Sequence, residues 1–287
     1  MAGRLLLYLQ DPGGVNFFQP VLKQLGDLAS VVIAHRSVPI SLLSEVDCQL
    51  ERVTNFTVED WNRALIAKRI DCVICTLSSK HRDLSNAHLI QACRHLSIPS
   101  FGCLDHWKGL DRLLDQLGEP TYAPTILGVI DQYHYDLCVK LRLPSFIEII
   151  GHPKFESIEN RRGEDLGELA DTVLLVSQPD IDSLTFSSLY LRKFEEKTIL
   201  EFLFDLLNPV FSKSAIGILP HPKEDDRLRS LDKNGIVEKR SSFVKRSSYV
   251  VGFDSIFLIE SALQGKAVYF LDQWIDPDMR PLFDRFG

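Results

Sequence analysis

The sequence predicts an α/β chain of two parallel-sheet domains facing across a cleft, the second domain small. Three observations predict it. Short apolar runs alternate with amphipathic stretches, and strand, helix, strand in that order implies right-handed crossovers and a parallel sheet. The apolar runs are continuous, as in strands covered by helices on both faces. The alternation stops at a polar stretch and then resumes, which divides the chain into a domain 1–153, a linker 154–170 and a domain 171–287.

Arg4–Gln10 (RLLLYLQ) is the first strand. Met1 to Gln10 carry one Arg before a short apolar run and no small-residue cleavage site, so they read as this strand and not as a signal peptide. DPGG leads into the helical FFQPVLKQLGDL, and Ser30–His35 is the second strand. In VEDWNRALIAKR the apolar Trp61, Leu65 and Ile66 recur at helical spacing. Asp71–Ser78 and Pro99–Asp105 are strands on either side of the helical DLSNAHLIQACRHLS. Ile126–Asp131, the helical YHYDLCVKLRL and Phe146–Pro153 complete the first half. In the second half Thr172–Pro179 is a strand and about Tyr190 to Leu207 a long helix. AIGILPHPKEDD, the strand SYVVGFDS, the helical IFLIESALQGK and the strand AVYFLDQ follow.

Composition excludes several classes. With 287 residues, 45% hydrophobic and 25% charged, the chain buries a core without staples. A net charge of −7 argues against a nucleic-acid partner, which calls for a basic face. No apolar run reaches the ~18–20 residues of a membrane span. The cysteines are Cys48, Cys72, Cys75, Cys93, Cys103 and Cys138. Cys72 and Cys75 form a C-x-x-C, but inside an apolar run whose alternate residues face opposite ways, and a second pair is missing. They read as buried free thiols and not as a zinc or redox site, which fits a reducing cytoplasm.

Ligands of open parallel sheets bind beyond the carboxyl ends of the strands, so the residues just after each apolar run are the candidates. After the first strand come Asp11-Pro12-Gly13-Gly14-Val15-Asn16. Two glycines allow a tight turn and close approach, and the helix start behind them offers N–H groups to an anion. Gly13, Gly14 and Asn16 are either a phosphate- or sugar-binding loop or a plain turn with Asn16 as helix cap. The loop matches neither G-x-G-x-x-G nor G-K-S/T. Ser78-Ser79-Lys80-His81-Arg82 is either an anion site or a solvated capping loop. Leu104-Asp105-His106-Trp107-Lys108-Gly109 puts an acid, an imidazole and an indole in succession. Asp105 is either a base or the partner of His106; the plainer alternative is an Asp helix cap with a packed Trp. At Gly151-His152-Pro153 a turn is expected ahead of a catalytic role for His152.

In the second half Ser177-Gln178-Pro179 follows one strand and His221-Pro222-Lys223-Glu224 the next. Proline fixes the backbone after His221, and His221 with Lys223 can meet a phosphate. The richest segment runs from Gly252 to Val268. Asp254-Ser255 falls at a helix start, where a hydroxyl and unpaired N–H groups bind phosphate. Glu260, five residues on, can take two ribose hydroxyls; otherwise this is a capped amphipathic helix with an incidental Glu.

Together these residues resemble the GT-B-type glycosyltransferases, a superfamily that pairs two Rossmann-like domains. Its second domain commonly carries a Ser-rich turn, a helix with Glu-Ala and then Gly-Lys-Pro-Val. Here the match is Asp254-Ser255, Glu260-Ser261 and Gly265-Lys266-Ala267-Val268, with Ser261 for Ala and Ala267 for Pro. Gly13-Gly14 matches the acceptor-side loop, and Gly151-His152-Pro153 the crossing between domains. His221-Pro222 with the later Ser255 resembles bacterial sialyltransferases and capsule Kdo transferases, which use CMP-activated acidic sugars. Ser177-Gln178-Pro179 resembles the Gln-Pro element of the latter. UDP-N-acetylglucosamine 2-epimerases are more distantly similar.

The resemblance implies a glycosyltransferase of surface polysaccharide or glycoconjugate synthesis. Its substrates would be a nucleotide-sugar donor and a glycan or lipid-linked acceptor. Asp105 or Asp11 would activate the acceptor hydroxyl, with His106 the second candidate. His221, Lys223 and the helix start at Ser255 would meet the leaving-group charge. No Asp-x-Asp motif is read as a metal site, so no metal and no cofactor are expected. The expected location is the cytoplasm, with peripheral contact at the inner face of a membrane if the basic cluster Lys239-Arg240 to Lys245-Arg246 is more than a solvated face. The other readings are a nucleotide-sugar epimerase or hydrolase of the same fold, and a non-catalytic binding protein.

Overall fold

The computed structural model describes residues 3–36, 38, 40–43, 50–77, 83–107, 109–159, 170–176, 207, 209–210, 216–219, 246–252 and 255–270. The chain divides into two units, Met1–Ser157 and Ile158–Gly287.

In the first unit the chain runs β1 (Leu5–Leu9), α1 (Pro12–Phe18), α2 (Leu22–Leu28), β2 (Val31–His35), β3 (Leu50–Val53), α3 (Val58–Ala67), β4 (Cys72–Thr76) and α4 (Ser85–His95). It continues through β5 (Ser100–Cys103), β6 (Ile126–Val129), α5 (Gln132–Lys140), β7 (Phe146–Ile149) and α6 (Pro153–Glu159). The seven strands form one sheet in the order β3-β2-β1-β4-β5-β6-β7, every neighbour parallel. Strand order reverses between β1 and β4, which places the crevice for a ligand beyond their carboxyl ends.

The apolar runs become strands because each feeds both faces of the sheet. In β1, Leu6 and Tyr8 join one core with Trp61, Leu89 and Leu127, while Leu7 and Leu9 join the other with Phe17, Phe18 and Leu22. Fully burying each such side chain contributes about 1.5–3 kcal/mol. Two elements differ from the sequence reading. β3 is an edge strand whose LERV sequence carries two charges, so no apolar run announces it. The helix expected over FFQPVLKQLGDL is two helices joined by a 3₁₀ turn at Gln19–Val21, where Pro20 removes a helix donor. The first residues of the stretch read as a linker form α6.

The second unit's described strands are β8 (Ala170–Val176), β9 (Ile216–Leu219), β10 (Ser247–Gly252) and β11 (Ala267–Phe270), with α7 (Ile256–Leu263) between the last two. They form a parallel sheet in the order β11-β10-β8-β9, so order reverses between β8 and β10. Leu174, Val176, Val250 and Leu258 form its core. Gly265, with φ +81°, ends α7 as the sequence suggests. The long helix read over 190–207 lies outside the described residues.

Candidate functional site

The first group of site residues gathers at the carboxyl edge of the seven-stranded sheet. Asp11 follows β1 with extended backbone, and its Oδ1 accepts the Gly14 N–H at 2.8 Å. Asp11, not Asn16, is therefore the cap of α1. Pro12, Gly13 and Gly14 form the first helical turn and not a loop, since proline's fixed φ suits that position. Asn16 lies inside α1, half-buried.

The two glycines do different work. A Cβ on Gly14 would sit 2.5 Å from Thr76 Cβ, so the glycine lets α1 press onto β4. Its N–H is already given to Asp11. A Cβ on the exposed Gly13 would lie 3.1 Å from Asp105 Oδ2 and 3.2 Å from Asp11 Oδ1. The two carboxylates thus flank one glycine, one on either side of the place a Cβ would take.

Arg112, which the sequence reading did not single out, organises this pair. Its Nη1 donates to Asp105 Oδ1 at 2.6 Å and to the Leu77 carbonyl at 2.5 Å, tying the loop after β5 to the end of β4. Gly109 makes room: its φ of +121° suits only glycine, and a Cβ there would lie 2.8 Å from Arg112 Nε. Burial alone would push the Asp105 carboxyl up, but the Arg112 guanidinium outweighs it and holds Asp105 below the usual carboxylate range. Burial likewise works against charge on Arg112, and the facing Asp105 and Asp11 hold it above its ordinary value. Asp105 is therefore not a helix cap; the 3₁₀ turn after it starts from Gly109.

Trp107 is buried, and its Nε1–H donates to Asp131 Oδ2 at 3.1 Å. Asp131 caps α5 by accepting the His134 N–H at 2.8 Å. Trp107 stacks on Phe155 of α6, and Phe155 on His152 with ring centres 4.0 Å apart. Phe17 of α1 meets His152 edge-on. His152 thus belongs to an aromatic cluster that seats α6. His106 is half-buried beside Trp107, ring centres 6.2 Å apart.

Burial pushes His134 and His152 down to about 4. Both ring nitrogens of His134, and Nδ1 of His152, have no hydrogen-bond partner among the described residues. Both histidines are neutral near pH 7.

The second group lies in the other unit. Ser255 caps α7, its hydroxyl accepting the Phe257 N–H at 3.3 Å, as a helix start there requires. Glu260 is buried on α7. Five residues turn a helix by about 140° and advance it by about 7.5 Å, so the two positions lie on different sides of α7, more than a turn apart. Ser177, Gln178, His221, Pro222, Lys223 and Asp254 lie outside the described residues, as do Ser78 to Arg82 and the cluster from Lys239 to Lys245. Among the described cysteines Cys75, Cys93, Cys103 and Cys138 are buried, Cys72 is half-buried, and all are unbridged.

The two parallel sheets, with candidate residues at the carboxyl end of each, define a GT-B-like α/β fold. Comparison with solved structures finds this fold in a wall teichoic acid polymerase. The wall teichoic acid polymerase TagF superimposes with a TM-score of 0.51 at 13% identity, over 94% of this chain and 71% of TagF. TagF soaked with CDPG matches with a TM-score of 0.47 at 11% identity, over 93% of this chain and 70% of TagF. No protein-family profile matches the chain, and no curated protein matches it in sequence.

Proposed function

We propose that this chain is a GT-B-type glycosyltransferase that moves a sugar from a nucleotide donor to an acceptor hydroxyl. The observation that carries the reading is the cluster of Asp11, Asp105 and Arg112 beyond the reversal between β1 and β4. A fold shared with a polymerase over nearly the whole chain supports it. In this reading the acceptor oxygen attacks the anomeric carbon, and a carboxylate of the first unit takes its proton. The bond from that carbon to the phosphate oxygen breaks, and its electron pair leaves with the nucleotide. His221, Lys223 and the Ser255 end of α7 meet the charge that develops there, and Glu260 holds the ribose.

The donor in this reading is CMP-linked, carrying an acidic sugar, on the strength of His221-Pro222 followed by Ser255. The acceptor is a glycan or a lipid-linked glycan, met in the cytoplasm or at the inner face of a membrane. Among the described residues no helix is long and apolar enough to cross a membrane. The reaction in this reading needs no metal. The sequence does contain two Asp-x-Asp spacings, Asp180-Ile181-Asp182 and Asp276-Pro277-Asp278, both outside the described residues. Turnover retained in EDTA is the expected result.

A thermal-shift screen against CMP, CDP, UDP and GDP tests the reading. A ligand at ~100 times its Kd adds roughly 2.7 kcal/mol to the native state. A shift selective for CMP, lost in His221→Ala and reduced in Ser255→Ala, is expected. A UDP-selective shift would move the reading to a hexosamine transferase or an epimerase. No shift with any nucleotide would leave a non-catalytic binding protein.

A further inference from the structure

Two carboxylates flank Gly13, yet they stand in different surroundings. Asp105 Oδ1 receives a charge-assisted hydrogen bond from Arg112 Nη1, the same nitrogen that is pinned to the Leu77 carbonyl. A guanidinium held at two points is a fixed counter-ion, and a carboxylate so paired is a poor proton acceptor. Among the described residues Asp11 accepts one hydrogen bond, from the Gly14 N–H on Oδ1, and faces Arg112 without bonding to it. Its position is set by α1 and not by the guanidinium.

We propose that Arg112 is a positioning residue that divides the work of the two carboxylates. It fixes Asp105 as the anchor of the loop after β5 and leaves Asp11 to take the acceptor proton. This rests on the transferase reading. The proton passes from the acceptor hydroxyl to an Asp11 carboxylate oxygen as the acceptor oxygen bonds to the anomeric carbon. The nucleotide departs with the electron pair of the broken bond. Beside Asp105 and Arg112 the charged or titratable groups are Asp11, Asp111, His106, His134 and His152. His134 and His152 are neutral near pH 7, so Arg112 is the cation bonded to Asp105.

The test has two readouts. Side-chain carboxyl NMR of ¹³C-aspartate-labelled protein, with signals assigned through Asp105→Asn and Asp11→Asn, follows the titration of Asp105. Arg112→Gln is expected to move that titration up by at least one pH unit, and Arg112→Lys to restore at least half of the change. An arginine that served only to hold the Leu77 carbonyl would leave it in place, and an Asp105 titration equal in wild type and Arg112→Gln would overturn the proposal. The second readout is hydrolysis or transfer of CMP-N-acetylneuraminic acid and UDP-N-acetylglucosamine as probes. Asp11→Asn is expected to lose at least a hundredfold in kcat with nucleotide binding unchanged. Asp105→Asn is expected to lose mainly in KM for the acceptor. Equal kcat losses in both variants would overturn the proposal. Wild type inert towards both donors would count against the transferase reading, while the carboxyl titration still decides what Arg112 does.

Discussion

His134 offers a sharp test of how the first unit is held together. Its ring is fully buried on α5, neither nitrogen has a partner among the described residues, and burial pushes it from 6.5 down to about 4. The unfolded chain takes up a proton at this ring near pH 6.5, whereas the folded unit resists doing so until about pH 4. Stability is therefore complete above about pH 6.5, falls as pH drops from there to about 4, and is level below that for this residue. A depression of this size corresponds to roughly 3 kcal/mol lost across the window, at up to about 1.4 kcal/mol per pH unit. His152 is pushed down to a similar value and adds a loss of the same sign in the same window. The carboxylates held low, Asp60, Asp83 and Asp105, begin to lose their contribution below about pH 5, but equally in parent and variant, so they cancel in the comparison.

The perturbation is His134→Leu, which replaces a titrating ring with an apolar side chain of comparable bulk. The assay is urea unfolding between pH 4 and 7.5, followed by Trp61 and Trp107 fluorescence in a Trp274→Phe background. At pH 7.5 the variant should be as stable as its parent or more so, because burying unpartnered ring nitrogens costs free energy. Near pH 4 it should exceed the parent by roughly 3 kcal/mol. Between about pH 5 and 6.5 about half of the slope due to the two buried histidines should disappear, His152 supplying the other half. An unchanged slope between pH 4 and 6.5 would refute the reasoning, since it would mean that the ring is protonated in the fold or already hydrated.

Other outcomes follow from close contacts. Gly14→Ala should cost about 2 kcal/mol, because overpacking against Thr76 exceeds the ~1 kcal/mol that alanine gains in a helix; urea unfolding reads it directly. Gly13→Ala should unfold within about 1 kcal/mol of wild type, yet abolish turnover by placing a methyl between Asp11 and Asp105. Gly109→Ala should lose about 1–3 kcal/mol through backbone strain and raise the Asp105 titration as Arg112 is displaced, which carboxyl NMR detects. Cys75, Cys93, Cys103 and Cys138 should stay silent to a thiol reagent at pH 8 until guanidinium is added, since burial both shields them and pushes Cys75 and Cys138 up to about 12.

The strands were legible wherever continuous apolar runs feed two cores, as in β1, β2 and β4, and β8 was read from the same kind of run. β3 was not, because an edge strand need bury only part of its length and LERV keeps two charges. Strand order was not legible either. Alternation implies parallel crossovers, but only packing decides that β1 lies beside β4 and thus where the crevice falls. Asp11 and Asp105 were found because they follow apolar runs, and the sheet turns that position into proximity.

Arg112 escaped because its meaning is wholly long-range. In LDRLLDQL it reads as one more charge on a short amphipathic stretch, and the Leu77 carbonyl it grips is 35 residues away. The one local signal was Gly109, three residues before it: a left-handed glycine just beyond a strand end marks a place where something must lie against bare backbone. The same logic separates Gly13 from Gly14. Adjacent in sequence and equal to any pattern, one faces two carboxylates and the other a buried threonine. A glycine pair after a strand therefore announces close approach without saying to what, and the functional and structural glycines are told apart only by what a Cβ would meet.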